Sequence, residues 1–250
     1  MMLKFRKFLK RQFAPDRRML MLIFWPVFGV LFYLLEHMQG REYYEMWCPL
    51  DDIIPFCELG VIPYLYWFIF LFGMHVVTFF LDKDIFYKMT MFIIFTYMVG
   101  VAMFVIFPTC QNLRPEVMPR DNFLSRVMTW FYTTDSNTDV CPSLHVVGSM
   151  AVVTAAWNMD RFKTKAWRAF FLISGLAISF STVFVKQHSF IDVCVGFAIC
   201  VPAYLLVYKP ISAKNKVTSA ANAAAKTAIS AAEKVDKSTR KHEDRQLKRS

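Results

Sequence analysis

Six apolar runs of membrane length leave this 250-residue chain one general way to fold. They cover residues 19–35, 60–81, 89–107, 144–159, 167–185 and 190–208. Each is roughly 16–23 residues long, against the ~20 that cross a bilayer as a helix. Peptide groups in lipid have no water to bond, so the runs are expected to be helices and not open strands. The chain is 56% hydrophobic and only 19% charged, which excludes an ordinary soluble core. The expected fold is therefore all-α, a polytopic membrane bundle of six transmembrane helices spanning residues 19–208. A basic segment, 1–18, precedes it and a basic tail, 209–250, follows, and no internal repeat is visible. Residues 1–18 look like the charged start of a signal peptide. They run into a full-length span holding Pro26, with no small-residue cleavage site, which predicts a retained first helix.

Lysine and arginine set the expected orientation. With the N-terminus inside, the inner ends and loops hold 24 of the 29 cations. The outer set keeps Arg41, Arg114, Arg120, Arg126 and Lys186. That bias predicts cytoplasmic termini. It also carries Arg114-Pro115, Cys141-Pro142-Ser143-Leu144-His145 and Lys186-Gln187-His188-Ser189-Phe190-Ile191-Asp192 to the same extracytoplasmic or lumenal face. The protein is thus expected to be an integral, multi-pass membrane protein with its site on that face.

Cys48 and Cys57 fall in the first outer loop, and Cys110 and Cys141 bracket the second. Disulfides persist in oxidising compartments, so Cys48–Cys57 and Cys110–Cys141 are the natural pairings, with four free thiols as the alternative. Cys194 and Cys200 lie inside the sixth span and read as packing residues. The net charge of +10 sits mostly in the tails. Juxtamembrane cations of this kind sit on anionic headgroups or serve only as topology signal and solubilising tail. Residues 218–235 are Ala-rich and expected to be helical without inserting. No aromatic interleaving points to nucleic acid, so membrane lipids are the expected partners; the oligomeric state is not legible.

The chemistry starts at His188 and Asp192. Spaced i, i+4 on the first turns of the sixth helix, they share a face. A carboxylate there accepts the imidazole Nδ1–H and leaves Nε2 as a nucleophile. A His–Asp tie between helices, or a metal-ligand pair, has the same spacing. Pro142-Ser143 is expected to open the fourth helix, whose free N–H groups make a seat for phosphate. Ser143 adds a hydroxyl, and His145 can protonate a leaving alkoxide; a helix cap followed by a structural histidine is the plainer alternative. Arg114 can clamp two phosphate oxygens, and Lys186 adds a point charge beside the nucleophile. Isolated, each is more often a solvated loop cation. His75, mid-span, reads as a satisfied structural histidine, and His37 and His242 as loop and tail residues.

Together these segments resemble the type 2 phosphatidic acid phosphatase superfamily of lipid phosphate phosphatases. That family has Lys, six residues, Arg-Pro; then Pro-Ser-Gly-His; then Ser-Arg, five residues, His-x-x-x-Asp. This chain matches with Arg114-Pro115, Pro142-Ser143-Leu144-His145, and Ser181 followed by His188 and Asp192. The resemblance implies a phosphohistidine at His188, oriented by Asp192, with His145 as general acid. It implies phosphate contacts from Arg114, Ser143 and backbone amides, a lipid phosphate substrate, and no metal or other cofactor. Three positions depart from the pattern. Leu144 replaces Gly, Phe107 stands where the first Lys would fall, and Thr182 where the third-motif Arg would fall. With two cations lost, Lys186 is expected to restore one charge at the site. A cation-poor site favours a phosphodiester, a pyrophosphate or transfer to another lipid hydroxyl over a dianionic monoester. The Phe107-Pro108-Thr109 lead-in and the Lys-Gln-His segment are also similar to the branch containing inositol phosphorylceramide and sphingomyelin synthases. The expected activity is lipid phosphate or pyrophosphate hydrolysis at the outer face, with lipid phosphotransfer as the alternative. A proton-coupled transporter using His75, His145, His188 and Asp192, or a catalytically dead lipid-binding scaffold, are readings from other classes.

Overall fold

The structure, a computed structural model, describes residues 17–38 and 40–209. The expected basic ends, apart from the residues at their inner edges, and the Ala-rich helix at 218–235 lie outside the described residues. The chain divides into two units, residues 1–204 and 205–250.

Helices account for most of the described residues. α1 (Arg17–Leu22) and α2 (Phe24–Glu36) form the first apolar stretch, followed by a short α3 (Pro49–Ile53). Next come α4 (Val61–Leu81), α5 (Lys83–Ile106), α6 (Phe123–Thr134) and α7 (Leu144–Asn158). α8 (Lys165–Phe184) and α9 (Phe190–Val207) complete the set. Among the described residues, five helical stretches are long and apolar enough to cross a membrane: Arg18–Glu36, Glu58–Leu81, Lys83–Ile106, Lys165–Phe184 and Phe190–Val207. The fourth expected span, 144–159, corresponds to α7, which is shorter at 15 residues.

The position of α7 accounts for its composition. It packs against α4, α5 and α8 and buries Val146, Val147, Gly148, Ser149, Ala151, Val152, Val153, Ala155 and Ala156. Buried on several sides, it carries small and β-branched residues that let neighbouring backbones approach closely. A Cβ on Gly175 of α8 would lie 2.7 Å from Val153 Cγ2, and one on Gly196 of α9 would lie 2.9 Å from Val146 Cβ. Helix ends follow local chemistry. Asp82 accepts the Ile85 N–H at 3.1 Å to start α5, and Thr164 accepts that of Trp167 at 3.3 Å to start α8. Both side chains satisfy amides that a helix start leaves without a partner.

Structure beyond the expected six helices lies in the loops. β1 (Tyr44–Glu45) pairs in parallel with β2 (Thr109–Cys110), in the register Tyr44↔Thr109 and Glu45↔Cys110. α6 was not expected, yet Asn122 caps it at Ser125 N–H (3.0 Å). Its Leu124, Val127, Met128 and Phe131, at i, i+3, i+4 and i+7, pack on Val61, Tyr64 and Val185. That spacing is the apolar stripe of an amphipathic helix. α3 has a Pro-led first turn after Cys48, with Asp51 Oδ2 accepting the Cys48 N–H at 2.9 Å.

The expected disulfides are corrected: Cys48, Cys57, Cys110 and Cys141 are all free thiols, as are Cys194 and Cys200. Each loop cysteine is committed locally. Cys48 caps α3, Cys57 donates its N–H to the Phe184 carbonyl at 2.9 Å, and Cys110 is held in the β pair. Cys141 is buried beside the Asp192 carboxylate; burial and that charge push its thiol up to about 12.

Candidate active site

Three chain segments converge where α7 and α9 begin. The α8–α9 connection turns sharply, with Lys186 in the left-handed region at φ 51°. The Thr182 carbonyl accepts the N–H groups of Gln187 (2.9 Å) and His188 (3.3 Å). Ser189 then opens α9: the Asp192 side chain accepts its N–H at 2.9 Å, as in a Ser-x-x-acid capping box. The same Asp192 Oδ2 lies 3.3 Å from His188 Nδ1. The i, i+4 spacing thus places the two side chains together at a helix start, with Asp192 fully buried. Nδ1 is engaged and Nε2 is the free nitrogen.

His145, on the first turn of α7, faces His188 with ring centroids 5.9 Å apart. Its ring stacks on Tyr64 at 4.5 Å and lies against Trp67 at 4.4 Å, both from α4. Its Nε2 has no hydrogen-bond partner among the described residues. Both histidines line a cavity of about 70 Å³. Asp135, Ser136, Asp139, Leu144 and Gln187 contribute to its wall, and among the described residues no Lys or Arg lines it. Ser143 is N-cap of α7, and its N–H donates to the Asp192 carbonyl at 3.2 Å. Its hydroxyl is buried and unpartnered among the described residues, and Ser143 is not in the pocket lining.

The two expected cations are placed differently. Arg114 reaches the site as a brace. Its guanidinium donates to the carbonyls of Tyr132 (3.2 Å), Asp135 (3.0 Å) and Ser136 (2.7 Å), and to Gln187 Oε1 (2.6 Å). It also stacks over Tyr132 at 4.7 Å. Only Nε is left without a partner. Burial pulls its pKa down while the Asp135 carboxylate opposes this. Lys186 is not brought to the pocket at all. Its ammonium donates to the Asp51 and Ile54 carbonyls, at 2.6 and 2.5 Å, where α3 ends. The end of a helix leaves carbonyls without an intrahelical partner, and the Lys186 ammonium is taken up by those at the end of α3. Thr182, at the lost arginine's position, is fully buried and donates to the Ser179 carbonyl at 2.7 Å. Phe107, at the lost lysine's position, is exposed and stacks on Tyr44 at 4.6 Å.

Several contributors escaped the sequence reading. Asp139, in the pocket wall with φ 53°, holds Arg41 in a bidentate pair at 2.8 and 2.9 Å. Arg41 also donates to the Leu35 and Phe104 carbonyls. Asp135 receives Gln187 Nε2 at 3.1 Å. Burial, together with the charge of Glu36, holds its carboxyl above the usual carboxylate range. The turn signals around Asp135 and Asp139 were the only local clue. Among the described residues, no three His, Cys, Asp or Glu side chains are grouped to hold a metal ion. His75, expected as a structural histidine, is buried in α4 with Nδ1 on the Leu71 carbonyl at 3.1 Å.

A family model described as the PAP2 superfamily matches residues 88–216, the stretch that holds Arg114, His145, His188 and Asp192. The match is to the superfamily as a whole. No curated protein and no solved structure matches the chain.

Proposed function

Because the chain belongs to the PAP2 superfamily, we propose that it is an integral membrane enzyme that cleaves lipid phosphate esters or anhydrides through a phosphohistidine. The observation that carries this reading is the His188–Asp192 contact at 3.3 Å with His145 across the same pocket. His188 Nε2 attacks phosphorus in line as the bond to the leaving oxygen breaks. His145 delivers the proton to that oxygen, and Asp192 stabilises the imidazolium that forms. Water, deprotonated by His145, then attacks the phosphohistidine, releases phosphate and restores His188. The buried Ser143 hydroxyl and the Nε of Arg114, both unpartnered among the described residues, and the amides at the start of α7 are donors with capacity left for an incoming phosphate. The lysine and arginine bias supports six spans, cytoplasmic ends and a site on the extracytoplasmic or lumenal side.

A second reading is favoured by the absence of Lys and Arg from the pocket lining. With Asp135 and Asp139 in that wall, a dianionic monoester meets little positive charge. A phosphodiester, which carries a single negative charge, suits the site better, with the phospho-group passed to another lipid hydroxyl. The test is turnover by purified protein of phosphatidic acid, an isoprenoid pyrophosphate and phosphatidylethanolamine in mixed micelles. His188→Ala is expected to abolish turnover, and the wild type to yield an acid-labile, base-stable adduct on His188. Product formed with an added lipid alcohol in place of water identifies transfer. Substantial turnover in folded His188→Ala protein would sink the assignment.

A further inference from the structure

The chain on both sides of His188 is gripped by one four-residue stretch of the loop between α2 and α4. Two residues before His188, the Lys186 ammonium is bound to the Asp51 and Ile54 carbonyls. One residue after it, the Ser189 hydroxyl donates to Asp51 Oδ2 at 2.6 Å. Two residues after, the Phe190 N–H donates to Asp51 Oδ1 at 2.8 Å. Asp51 is 1% exposed, and the contacts span 135–139 positions of sequence. Its carboxylate sits at the start of α9, where the helix dipole favours negative charge. Ser189 is the pivot. Its hydroxyl also accepts the Ile191 N–H at 3.2 Å, and its own N–H shares Asp192 Oδ2 with His188. Any movement of Ser189 therefore moves the nucleophile and its orienting carboxylate together.

We propose that Asp51 is a positioning residue for phosphoryl transfer: through Ser189 and Phe190 its carboxylate fixes where His188 Nε2 stands relative to the phosphorus. This rests on the phosphohistidine reading above. It also gives Lys186 its use, as the second jaw of the same clamp. In-line attack needs the reacting atoms about 3–3.5 Å apart, and a misplacement of about 1 Å costs on the order of 10²-fold in rate.

The test is single-turnover and steady-state kinetics on the panel substrate that the wild type handles best. Variants are Asp51→Ala, Asp51→Asn and Ser189→Ala, with exposed Asp52→Ala on the same short helix as control and His188→Ala as reference. Asp51→Ala is expected to slow His188 phosphorylation by about 10²-fold with KM within about twofold. Asp51→Asn keeps an acceptor for Phe190 N–H and falls between; Ser189→Ala follows the same direction, and Asp52→Ala matches wild type. A purely structural role lowers the amplitude of phosphoenzyme formation and leaves its rate unchanged. Should Asp51→Ala not fold, Asp51→Asn and Ser189→Ala decide the matter by the same rate criterion. Wild-type rates in these variants, or a loss confined to KM, overturn the proposal while His188→Ala stays inactive. Turnover surviving in His188→Ala, or none by the wild type on the panel, overturns instead the reading on which it rests.

Discussion

Replacing Arg114 separates a brace from a phosphate clamp. Its guanidinium makes four hydrogen bonds within the protein, three of them to carbonyls at the end of α6 and just beyond. A hydrogen bond to a charged group contributes about 1.5–3 kcal/mol net, but the four share one donor group and do not add. The side chain is only partly buried, so carbonyls freed by truncation recover some water. The partners are neutral, so no charge is stranded. An acceptor left without a donor costs about 1–3 kcal/mol when fully dry, and with partial rehydration about 4 kcal/mol in all is the expected loss for Arg114→Ala. For a chain of this size, a loss of about 4 kcal/mol lowers Tm by roughly 8–16 °C. Arg114→Lys offers a point charge in place of a planar fork and is expected to recover less than half. The assay is thermal unfolding in detergent, followed by tryptophan fluorescence, alongside turnover. An Arg114→Ala protein with wild-type Tm and abolished turnover would refute the brace and return Arg114 to direct phosphate binding.

Gly175→Ala places a methyl 2.7 Å from Val153 Cγ2 and is expected to cost about 1–3 kcal/mol by overpacking; adding Val153→Ala should restore part of the lost Tm, as a double-mutant cycle will show. Asp135 has a folded-state pKa raised by burial and Glu36, so the native chain holds that proton more readily than the unfolded one. Its ionisation therefore removes stability as pH rises from the ordinary carboxylate range through the raised pKa. Asp135→Asn is expected to raise Tm over wild type at neutral pH, with the gain vanishing below pH ~4; a gain equal at both would contradict the assignment. Turnover is expected to survive excess chelator, since no three His, Cys, Asp or Glu side chains among the described residues are grouped to hold a metal ion; full loss restored by one divalent ion would refute this.

Part of this molecule is written in short-range pattern. The apolar runs dictate helices because lipid leaves no other way to satisfy a peptide group. The observed helix bounds follow those runs to within a few residues, save that α5 begins six residues early, at Lys83, just after its Asp82 cap. The pairing of His188 with Asp192 is equally local: His188 lies just before α9, and the cap in which Asp192 accepts the Ser189 N–H brings the carboxylate back to it. α6 and α3 carried legible caps, Asn122 and Cys48-Pro49, but in loops where the membrane-length runs drew attention away.

What only the tertiary structure decided is where each polar loop residue points. Arg114 and Lys186 read alike in sequence as free outer cations. One became a brace for Gln187 and the end of α6, the other a clamp on α3. The same holds for the thiols, with Cys141 turned to Asp192 and away from a disulfide. Tyr64 and Trp67 meet His145 from a helix about 80 residues earlier in the chain, and Asp51 meets Ser189 across 138 positions. Hydropathy and periodicity report only a residue's immediate neighbours and the solvent it prefers. Contacts such as these exist only after the helices have packed and closed the loops over their ends, so no local pattern encodes them.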